Sequence, residues 1–182
     1  MKVLILYANG FEDVEALATR DVLVRAKIDV IDAKISDDEQ LVTSSHKVSL
    51  SGFKSLKDIE LNDIDALILP GGSRGVNNLL TSTLVDEVVL KFKNDDKLIC
   101  AICAAPMVLG KLGLLKDKEF TCYPGCEIGL DGIYTGKEVV VLDKLITARS
   151  MLYSIPFGLA IIEKLLGKDT SELIYRQIAG KR

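Results

Sequence analysis

The fold of this sequence is decided by the stretch Leu98-Ile99-Cys100-Ala101-Ile102-Cys103-Ala104-Ala105-Pro106. Its first residues are apolar without alternation, which is typical of a strand that helices cover on both faces. A segment with helical spacing, Ala104–Leu112, follows at once. Because a strand that passes directly into a helix is the repeating unit of α/β sheets, this stretch predicts an α/β fold.

The same alternation of strands and helices continues in both directions along the chain. It predicts further strands and helices, with Ser154 as the N-cap of one helix and Pro156 in its first turn. Two segments, Leu41–Ser51 and Gly125–Asp143, are predicted as hairpin or meander insertions at the edges of the sheet. We therefore expect one domain over residues 1–182, an open α/β sandwich with a mostly parallel sheet. The remaining predicted strands are Val3–Tyr7, Asp29–Ile31, Ala66–Leu69, Val139–Leu142 and Leu145–Thr147, and the remaining helices are Glu12–Arg25, Leu84–Phe92, Ser154–Leu166 and Thr170–Ile178.

The composition excludes several classes of protein. The 182 residues carry 23 Lys and Arg against 26 Asp and Glu, a net charge of −3 without a basic patch, which argues against nucleic acid as a partner. No apolar run approaches the roughly 18 residues of a membrane span, and Met1–Tyr7 is interpreted as a buried strand and not as a signal peptide. Four cysteines are too few for a disulfide scaffold in a chain of this length, so we expect a reducing, cytoplasmic setting.

Cys103 is the first candidate for a functional residue. Sites in open α/β sheets form beyond the carboxyl ends of the strands, and Cys103 lies between a strand and a helix, where a sharp turn resembles the nucleophile elbow of hydrolases. The N–H groups at the start of the following helix favour a thiolate. A free cysteine is also commonly a small buried residue, and its position alone leaves both interpretations open.

Two other strand ends carry candidate residues. Pro70-Gly71-Gly72 is a common turn, but its glycines also let a backbone N–H face a reacting oxygen. The segment is not a phosphate loop, because the glycine and Lys-Ser/Thr patterns of such loops are missing. Glu15 lies about one turn into the first helix, and the pattern alone favours a solvated acid that supports the helix N-terminus.

The four cysteines superficially resemble a zinc pattern, Cys100-x-x-Cys103 with Cys122-x-x-x-Cys126. The alternation of side chains along a strand places Cys100 and Cys103 on opposite faces, which argues against both a zinc site and a disulfide between them. We expect no metal and no cofactor. Cys122 or Cys126 could still approach Cys103 from the next strand end and act as a resolving thiol.

Three segments together resemble the ThiJ/PfpI family, which includes the Parkinson's-disease-associated protein deglycase. They are Tyr7–Ala16, Leu69–Gly72 and Ala101–Pro106, in the order and spacing of that family and most similar to its small bacterial ThiJ-like members. The resemblance covers essentially the whole chain. It implies a flavodoxin-like three-layer sandwich with a nucleophile elbow, and a homodimer in which Arg25 and His46 lie near the interface.

The resemblance also assigns roles to individual residues. It makes Cys103 the nucleophile and Glu15 its protonated partner, since two adjacent anions would repel each other. The backbone N–H groups of Gly72 and Ala104 would form an oxyanion site. Tyr123 stands where related proteins often have His, and whether it replaces that residue functionally stays open.

Two departures from the family pattern bear on activity. The peptidase branch has His immediately after the nucleophile, where this chain has Ala104, so we expect no peptidase activity. The usual Gly-Pro-Gly-Thr segment is replaced by Ser150-Met151-Leu152-Tyr153, which changes the pocket wall.

The resemblance thus implies action on small reactive carbonyls, of the glyoxalase or deglycase type, or protection against oxidative stress through oxidation of Cys103, or both. The expected partners are a small carbonyl substrate or an oxidant. The alternative is a non-catalytic redox sensor or redox-regulated chaperone. In either case we expect peroxide to convert Cys103 to a sulfinate before it modifies the other cysteines.

Overall fold

The computed structural model describes residues 1–36 and 40–181. Its strands are β1 (Lys2–Tyr7), β2 (Asp29–Lys34), β3 (Val42–Thr43), β4 (Ser49–Leu50), β5 (Lys54–Ser55), β6 (Ala66–Leu69), β7 (Leu98–Ile102), β8 (Glu119–Phe120), β9 (Ile133–Tyr134), β10 (Val139–Val141) and β11 (Leu145–Ala148). Its α-helices are α1 (Asp13–Arg25), α2 (Ser73–Leu80), α3 (Thr83–Asn94), α4 (Pro106–Lys111), α5 (Ser154–Leu166) and α6 (Lys168–Ile178), and 3-10 helices cover Leu56–Asp58 and Met151–Tyr153.

The main sheet has seven strands in the order β10-β11-β7-β6-β1-β2-β5. All neighbouring pairs are parallel except β10 with β11, which confirms the predicted mostly parallel sheet. The chain moves from β1 to β2 on one side and then returns to place β6 on the other side of β1. The strand order therefore reverses between β1 and β6, which is where open α/β sheets bind their ligands.

Helices cover both faces of the sheet and give it two separate cores. Alternate residues of β1 point to opposite faces, Leu4 into one core and Ile5 into the other. The core on the first face includes buried residues of α2, α3 and α4, and the core on the second face includes buried residues of α1, α5 and α6. The result is the expected three-layer sandwich. None of the helices among the described residues has the length and apolar character that crossing a bilayer requires.

The predicted helices exist, with ends that lie within about two residues of the predicted ones, and one further helix was not predicted. Helix α4 begins at Pro106 instead of Ala104, because residues 103–105 form the turn that leads into it and proline suits the first helical position. Ser154 lies inside α5, not at its N-cap, and its hydroxyl donates to the Met151 carbonyl. Helix α2 was not predicted, because Gly75 lowers the helix propensity of its short sequence.

The two predicted edge insertions have different outcomes. Residues 41–51 contain the expected hairpin, in which β3 and β4 pair antiparallel. The prediction for Gly125–Asp143 is correct in part, because β10 lies at the edge of the main sheet and forms an antiparallel hairpin with β11. It is wrong for β9, which pairs parallel with β8 in a separate two-stranded sheet.

Candidate active site

Cys103 occupies a strained turn directly after β7. Its φ angle is 63°, in the left-handed region where a non-glycine residue costs about 1–3 kcal/mol. Two backbone hydrogen bonds hold it there: Cys103 N–H donates to the Ala148 carbonyl over 2.9 Å, and Tyr123 N–H donates to the Cys103 carbonyl over 2.8 Å. The predicted elbow is therefore present, and neighbouring segments of chain hold its strain.

Glu15 is buried against this elbow. It is 1% exposed, and its Oε2 accepts a hydrogen bond of 2.9 Å from the Gly71 N–H, with the Cys103 thiol as a second hydrogen-bonding neighbour. Its position on α1 is fixed by Glu12, whose side chain caps the helix by accepting from the Glu15 N–H over 2.7 Å. The pattern-based expectation of a solvated acid was wrong, because the end of β6 covers this turn of the helix.

Glycine at position 71 makes this contact possible. A Cβ atom there would collide with Glu15 Oε2 and would lie 2.7 Å from the Cβ of Cys103. Gly72 is equally constrained, because its φ angle is 94° and an added Cβ would lie 2.7 Å from the Glu12 N atom. The two glycines therefore let the ends of β6, β7 and α1 meet around one thiol.

The protonation of Glu15 and Cys103 is coupled. Burial raises the pKa of Glu15 to about 7, against the lowering effect of its hydrogen bond with Cys103. Burial and the Glu15 carboxylate likewise raise the pKa of Cys103, whereas the N–H groups of Ala104 and Gly72 lower it. Two adjacent anions are unfavourable, so a thiolate at Cys103 requires that Glu15 keeps its proton.

The structure modifies the expectation that the N–H groups at the start of the following helix favour a thiolate at Cys103. Helix α4 has only six residues and begins at Pro106. The groups that favour the thiolate are instead the individual N–H groups of Ala104 and Gly72.

Above the thiol lies a cleft of about 570 Å³. Of the residues predicted from the sequence, Gly72, Cys103, Ala104 and Tyr123 line it, and Glu15 lies behind Cys103. Sequence reasoning missed most of the remaining wall, which comes from the β3–β4 hairpin, from the unpredicted helix α2 and from the turns after β8. The full lining is Glu12, Ser45, Gly72, Ser73, Val76, Asn77, Cys103, Ala104, Met107, Tyr123, Pro124 and Cys126.

Tyr123, at the position where the resemblance places His, contributes to the site in two ways. Its side chain lines the cleft and is 52% exposed, while its backbone N–H anchors the Cys103 elbow. Among the described residues that line the cleft there is no imidazole.

The residues predicted near a dimer interface lie on the surface of this chain. The Arg25 Nε donates to Asp21 over 2.6 Å at the end of α1. His46, in the β3–β4 turn, lies 2.8 Å from Asp13 through its Nδ1. Neither residue is part of the cleft wall.

The cysteines do not assemble into a metal site. Cys100 and Cys122 are buried, whereas Cys103 and Cys126 are partly exposed. Within the described residues, the group whose potential ligand atoms lie within 4.8 Å of one another is instead Glu12, Asp13 and His46. The Glu12 carboxylate of that group already accepts the N–H of Glu15.

Comparison with known proteins places this site in a family. The profile of the DJ-1/PfpI family matches residues 1–164. This chain belongs to the DJ-1/PfpI family. The predicted resemblance is thereby confirmed.

Individual relatives agree with that assignment. Protein DJ-1 homolog B of Arabidopsis thaliana is 36% identical over 170 residues, which cover 92% of this chain and 39% of that longer protein. The glutathione-independent glyoxalase DJ-1 of Schizosaccharomyces pombe is 29% identical over 189 residues, 98% of each chain. The crystal structure of a mutant DJ-1 superfamily protein from Salmonella typhimurium covers 100% of this DJ-1/PfpI chain and 98% of its own, with a TM-score of 0.92 and 31% identity. The predicted flavodoxin-like α/β fold is therefore confirmed.

Proposed function

We propose that this DJ-1/PfpI chain acts on small reactive carbonyls, with Cys103 as the nucleophile and Glu15 as the group that moves protons. The observation that carries the proposal is the pairing of a strained, cleft-facing thiol with a buried carboxyl whose pKa is raised to about 7. A group that titrates near neutral pH can both donate and accept a proton under working conditions.

For a 2-oxoaldehyde, the chemistry begins when the Cys103 thiolate adds to the aldehyde carbon. The carbonyl oxygen becomes a hemithioacetal oxygen and takes the proton of Glu15, with the N–H groups of Gly72 and Ala104 as donors to the developing charge. The Glu15 carboxylate then takes the proton from that carbon, the hydroxyl proton passes to the oxygen of the neighbouring carbonyl, and Glu15 returns its proton to the carbon of that carbonyl. The resulting thioester is hydrolysed by water, so that the net reaction adds one water to give a 2-hydroxy acid.

The walls of the cleft favour neutral carbonyls over anionic ones. Val76, Met107 and Pro124 supply apolar surface, and in the described part of the chain Glu12 is the charged residue of the lining. A carboxylate or phosphate on the substrate would lie near Glu12 without a cation in that wall to pair with. We therefore expect methylglyoxal to be a better substrate than glyoxylate.

The name of one relative supports this class of reaction. The Schizosaccharomyces pombe protein is called a glutathione-independent glyoxalase. In a reaction that does not use glutathione, a thiol of the protein can take its place as the nucleophile, and Cys103 is a thiol that this chain offers beside a proton carrier.

The second candidate function is that of a non-catalytic redox sensor or redox-regulated chaperone. It is favoured by the lack of an imidazole in the described lining, which leaves Glu15 as the proton carrier at the thiol. In this alternative Cys103 is oxidised by peroxide, protecting against oxidative stress, and no carbonyl is turned over.

The test is methylglyoxal turnover by wild type, Cys103→Ser and Glu15→Gln. We expect either substitution to reduce turnover by roughly 10³-fold or more, because the two side chains act as one unit. Cys100→Ala is the matched control, since Cys100 is buried in the sheet and does not line the cleft. Turnover that survives in Cys103→Ser, after correction for spontaneous hemithioacetal formation, contradicts the proposal. Casein cleavage should be absent throughout.

We also propose that the chain forms a homodimer in a reducing compartment such as the cytoplasm. Val14 and Val24 on α1 and Val48 in the β3–β4 turn are exposed apolar residues on the elements that carry Arg25 and His46. Light scattering at micromolar concentration should give the mass of two chains.

A further inference from the structure

Two of the four cysteines face the same cleft. Cys103 and Cys126 both line it and are both partly exposed. Cys100 is 0% exposed in the core beneath α1 and α5, and Cys122 is 0% exposed in the core on the opposite face of the sheet. Oxidant and solvent therefore reach one particular pair of thiols.

The backbone links this pair through a short path. The Cys103 carbonyl accepts from the Tyr123 N–H over 2.8 Å, and the Tyr123 carbonyl accepts from the Cys126 N–H over 2.9 Å. The second bond closes a turn, whose ends lie within about 7 Å of each other. Cys126 therefore lies one β-turn from Tyr123, whose N–H binds the Cys103 carbonyl.

From this arrangement we propose that Cys126 is a resolving thiol, which captures Cys103 after a hydroperoxide has oxidised it and so lets the chain reduce hydroperoxides. The proposal rests on the reactive Cys103 of the proposed function but does not require carbonyl turnover. The substrate is hydrogen peroxide or a small organic hydroperoxide, and the second reactant, needed for repeated turnover, is an external dithiol.

The first step oxidises Cys103 by two electrons. Its thiolate attacks one oxygen of the hydroperoxide, an S–O bond forms, the O–O bond breaks, and the departing oxygen takes the proton of Glu15 to leave as water or an alcohol. Burial raises the pKa of both Cys103 and Cys126. Cys103 is the first nucleophile because Glu15 lies beside it as a proton donor for the departing oxygen, and because the N–H groups of Ala104 and Gly72 can stabilise its thiolate.

The second step forms the disulfide. The Cys126 sulfur attacks the sulfenic sulfur of Cys103, an S–S bond forms, the S–O bond breaks, and the hydroxyl group leaves as water with the Cys126 proton. Two thiols and one hydroperoxide thus give one disulfide, one water and one water or alcohol. An external dithiol then reduces the disulfide and is itself oxidised.

The segment that carries Cys126 is suited to closing this bond. A disulfide requires Cα atoms within about 7 Å, and the turn from Tyr123 to Cys126 is the segment that sets this distance. Residues 123–129 are turns outside any helix or strand, and Gly125 and Gly129 have the left-handed φ angles of 95° and 81°. Cys126 packs against the core on the first face but is only partly buried and lines the cleft, whereas Cys122 is fully buried in that core and does not line the cleft. A bond from Cys122 to Cys103 would therefore require Cys122 to leave its core position.

Capture by Cys126 competes with further oxidation of Cys103 to the sulfinate. A tethered thiol acts at an effective concentration on the order of millimolar, which exceeds micromolar peroxide. The disulfide should therefore form at low peroxide, and the Cys103 sulfinate expected from the sequence should be the first product only at high peroxide.

The test is non-reducing peptide mapping by mass spectrometry after one equivalent of hydrogen peroxide is added to the reduced full-length chain. In the wild type we expect a Cys103–Cys126 cross-link within one chain, which dithiothreitol removes. Cys126→Ser should lose the cross-link and accumulate at least about tenfold more Cys103 sulfinate. Cys122→Ser is the matched control and should keep the cross-link.

Three results would overturn the proposal: a wild type that goes to the sulfinate without a cross-link, a cross-link between Cys122 and Cys126, or one between two chains on a non-reducing gel. Because no carbonyl is present, failure here is distinct from failure of the proposed carbonyl chemistry. A chain that forms the disulfide but turns over no methylglyoxal would refute only the latter.

Discussion

The two ends of the sheet carry clefts of nearly the same size. They differ in how their acidic residues are arranged, since those at one end form ion pairs at the surface and one at the other end is buried without a cation. The cleft at the carboxyl ends measures about 570 Å³ and the one at the amino ends about 560 Å³. At the amino ends, acids are paired with lysines at the surface, with distances of 2.9 Å for both Lys144–Asp96 and Lys164–Asp143. At the carboxyl ends, Glu15 is buried with a backbone N–H and a thiol as its neighbours.

Volume therefore does not distinguish the candidate active site from the cleft at the amino ends of the strands. Exposed ion pairs cost little to form and stabilise little. A carboxyl buried without a cation, beside a cysteine in a left-handed conformation, is instead a cost that the rest of the fold must offset. The residues at the carboxyl ends of the strands therefore destabilise the fold, and the same residues supply the reactive groups of the candidate active site.

The sharpest test of this contrast is the pH dependence of stability. The pKa of Glu15 rises from 4.5 to about 7 on folding, so the folded state holds this proton more tightly than the unfolded state. The stabilisation is complete below about pH 4.5 and is lost as the pH rises through about 7, a change of roughly 3 kcal/mol. Urea denaturation of wild type and Glu15→Gln between pH 4.5 and 8 should show Glu15→Gln losing less stability over that interval. A constant difference between the two proteins would contradict the buried-acid interpretation.

A smaller effect is expected from Gly71→Ala. The added methyl group would meet Glu15 Oε2 and the Cβ of Cys103, so the pair must separate. We expect the free energy of unfolding to fall by about 2 kcal/mol, because the added methyl group overpacks a buried site. Turnover should fall about ten- to hundredfold, because Glu15 and Cys103 are displaced from each other.

The matched control for that substitution is Gly113→Ala. Gly113 has a φ angle of 70° but open space around it, so alanine there adds backbone strain without touching the site. It should lose about 1 kcal/mol of stability and keep its turnover. Equal loss of turnover in both variants would show that the effect is general and not a consequence of the Glu15–Cys103 contact.

The smallest effect is expected at the amino ends of the strands. Lys164→Ala removes the pair with Asp143, whose side chain is 82% exposed. The urea midpoint and the turnover should both stay at their wild-type values, since solvent already screens this pair. A marked fall in the urea midpoint or in turnover would mean that the cleft at the amino ends of the strands has a structural or functional role.

The parts of the site that the sequence predicts are those built from neighbouring residues. The Cys103 elbow follows from an apolar strand, small residues and Pro106, all within one stretch of chain. The alternation of apolar strands with helices likewise predicts the layered α/β fold, whereas the strand order comes from the structure.

The parts that could not be predicted depend on contacts between distant segments. The burial of Glu15 is decided by Gly71, at a sequence separation of 56, and no pattern around Glu15 records it. Which of the two later cysteines faces the cleft depends in the same way on the turn that Tyr123 ties to the Cys103 carbonyl. Only the family resemblance anticipated the role of Glu15, because it carries information about the assembled fold.

Tyr123 and Ala148 clamp the Cys103 elbow through two backbone hydrogen bonds. These bonds also determine when, during synthesis, Cys103 reaches its final conformation. Both clamping residues, Tyr123 and Ala148, follow Cys103 in the chain and so leave the ribosome after it. A nascent chain that ends before β11 already contains Cys103, Glu15, Gly72 and the Tyr123 clamp, but it lacks Ala148, whose carbonyl accepts the Cys103 N–H. Both hydrogen bonds that hold the elbow are in place only when β11 has paired with β7. The conformation of Cys103 therefore depends on a strand that is synthesised well after it.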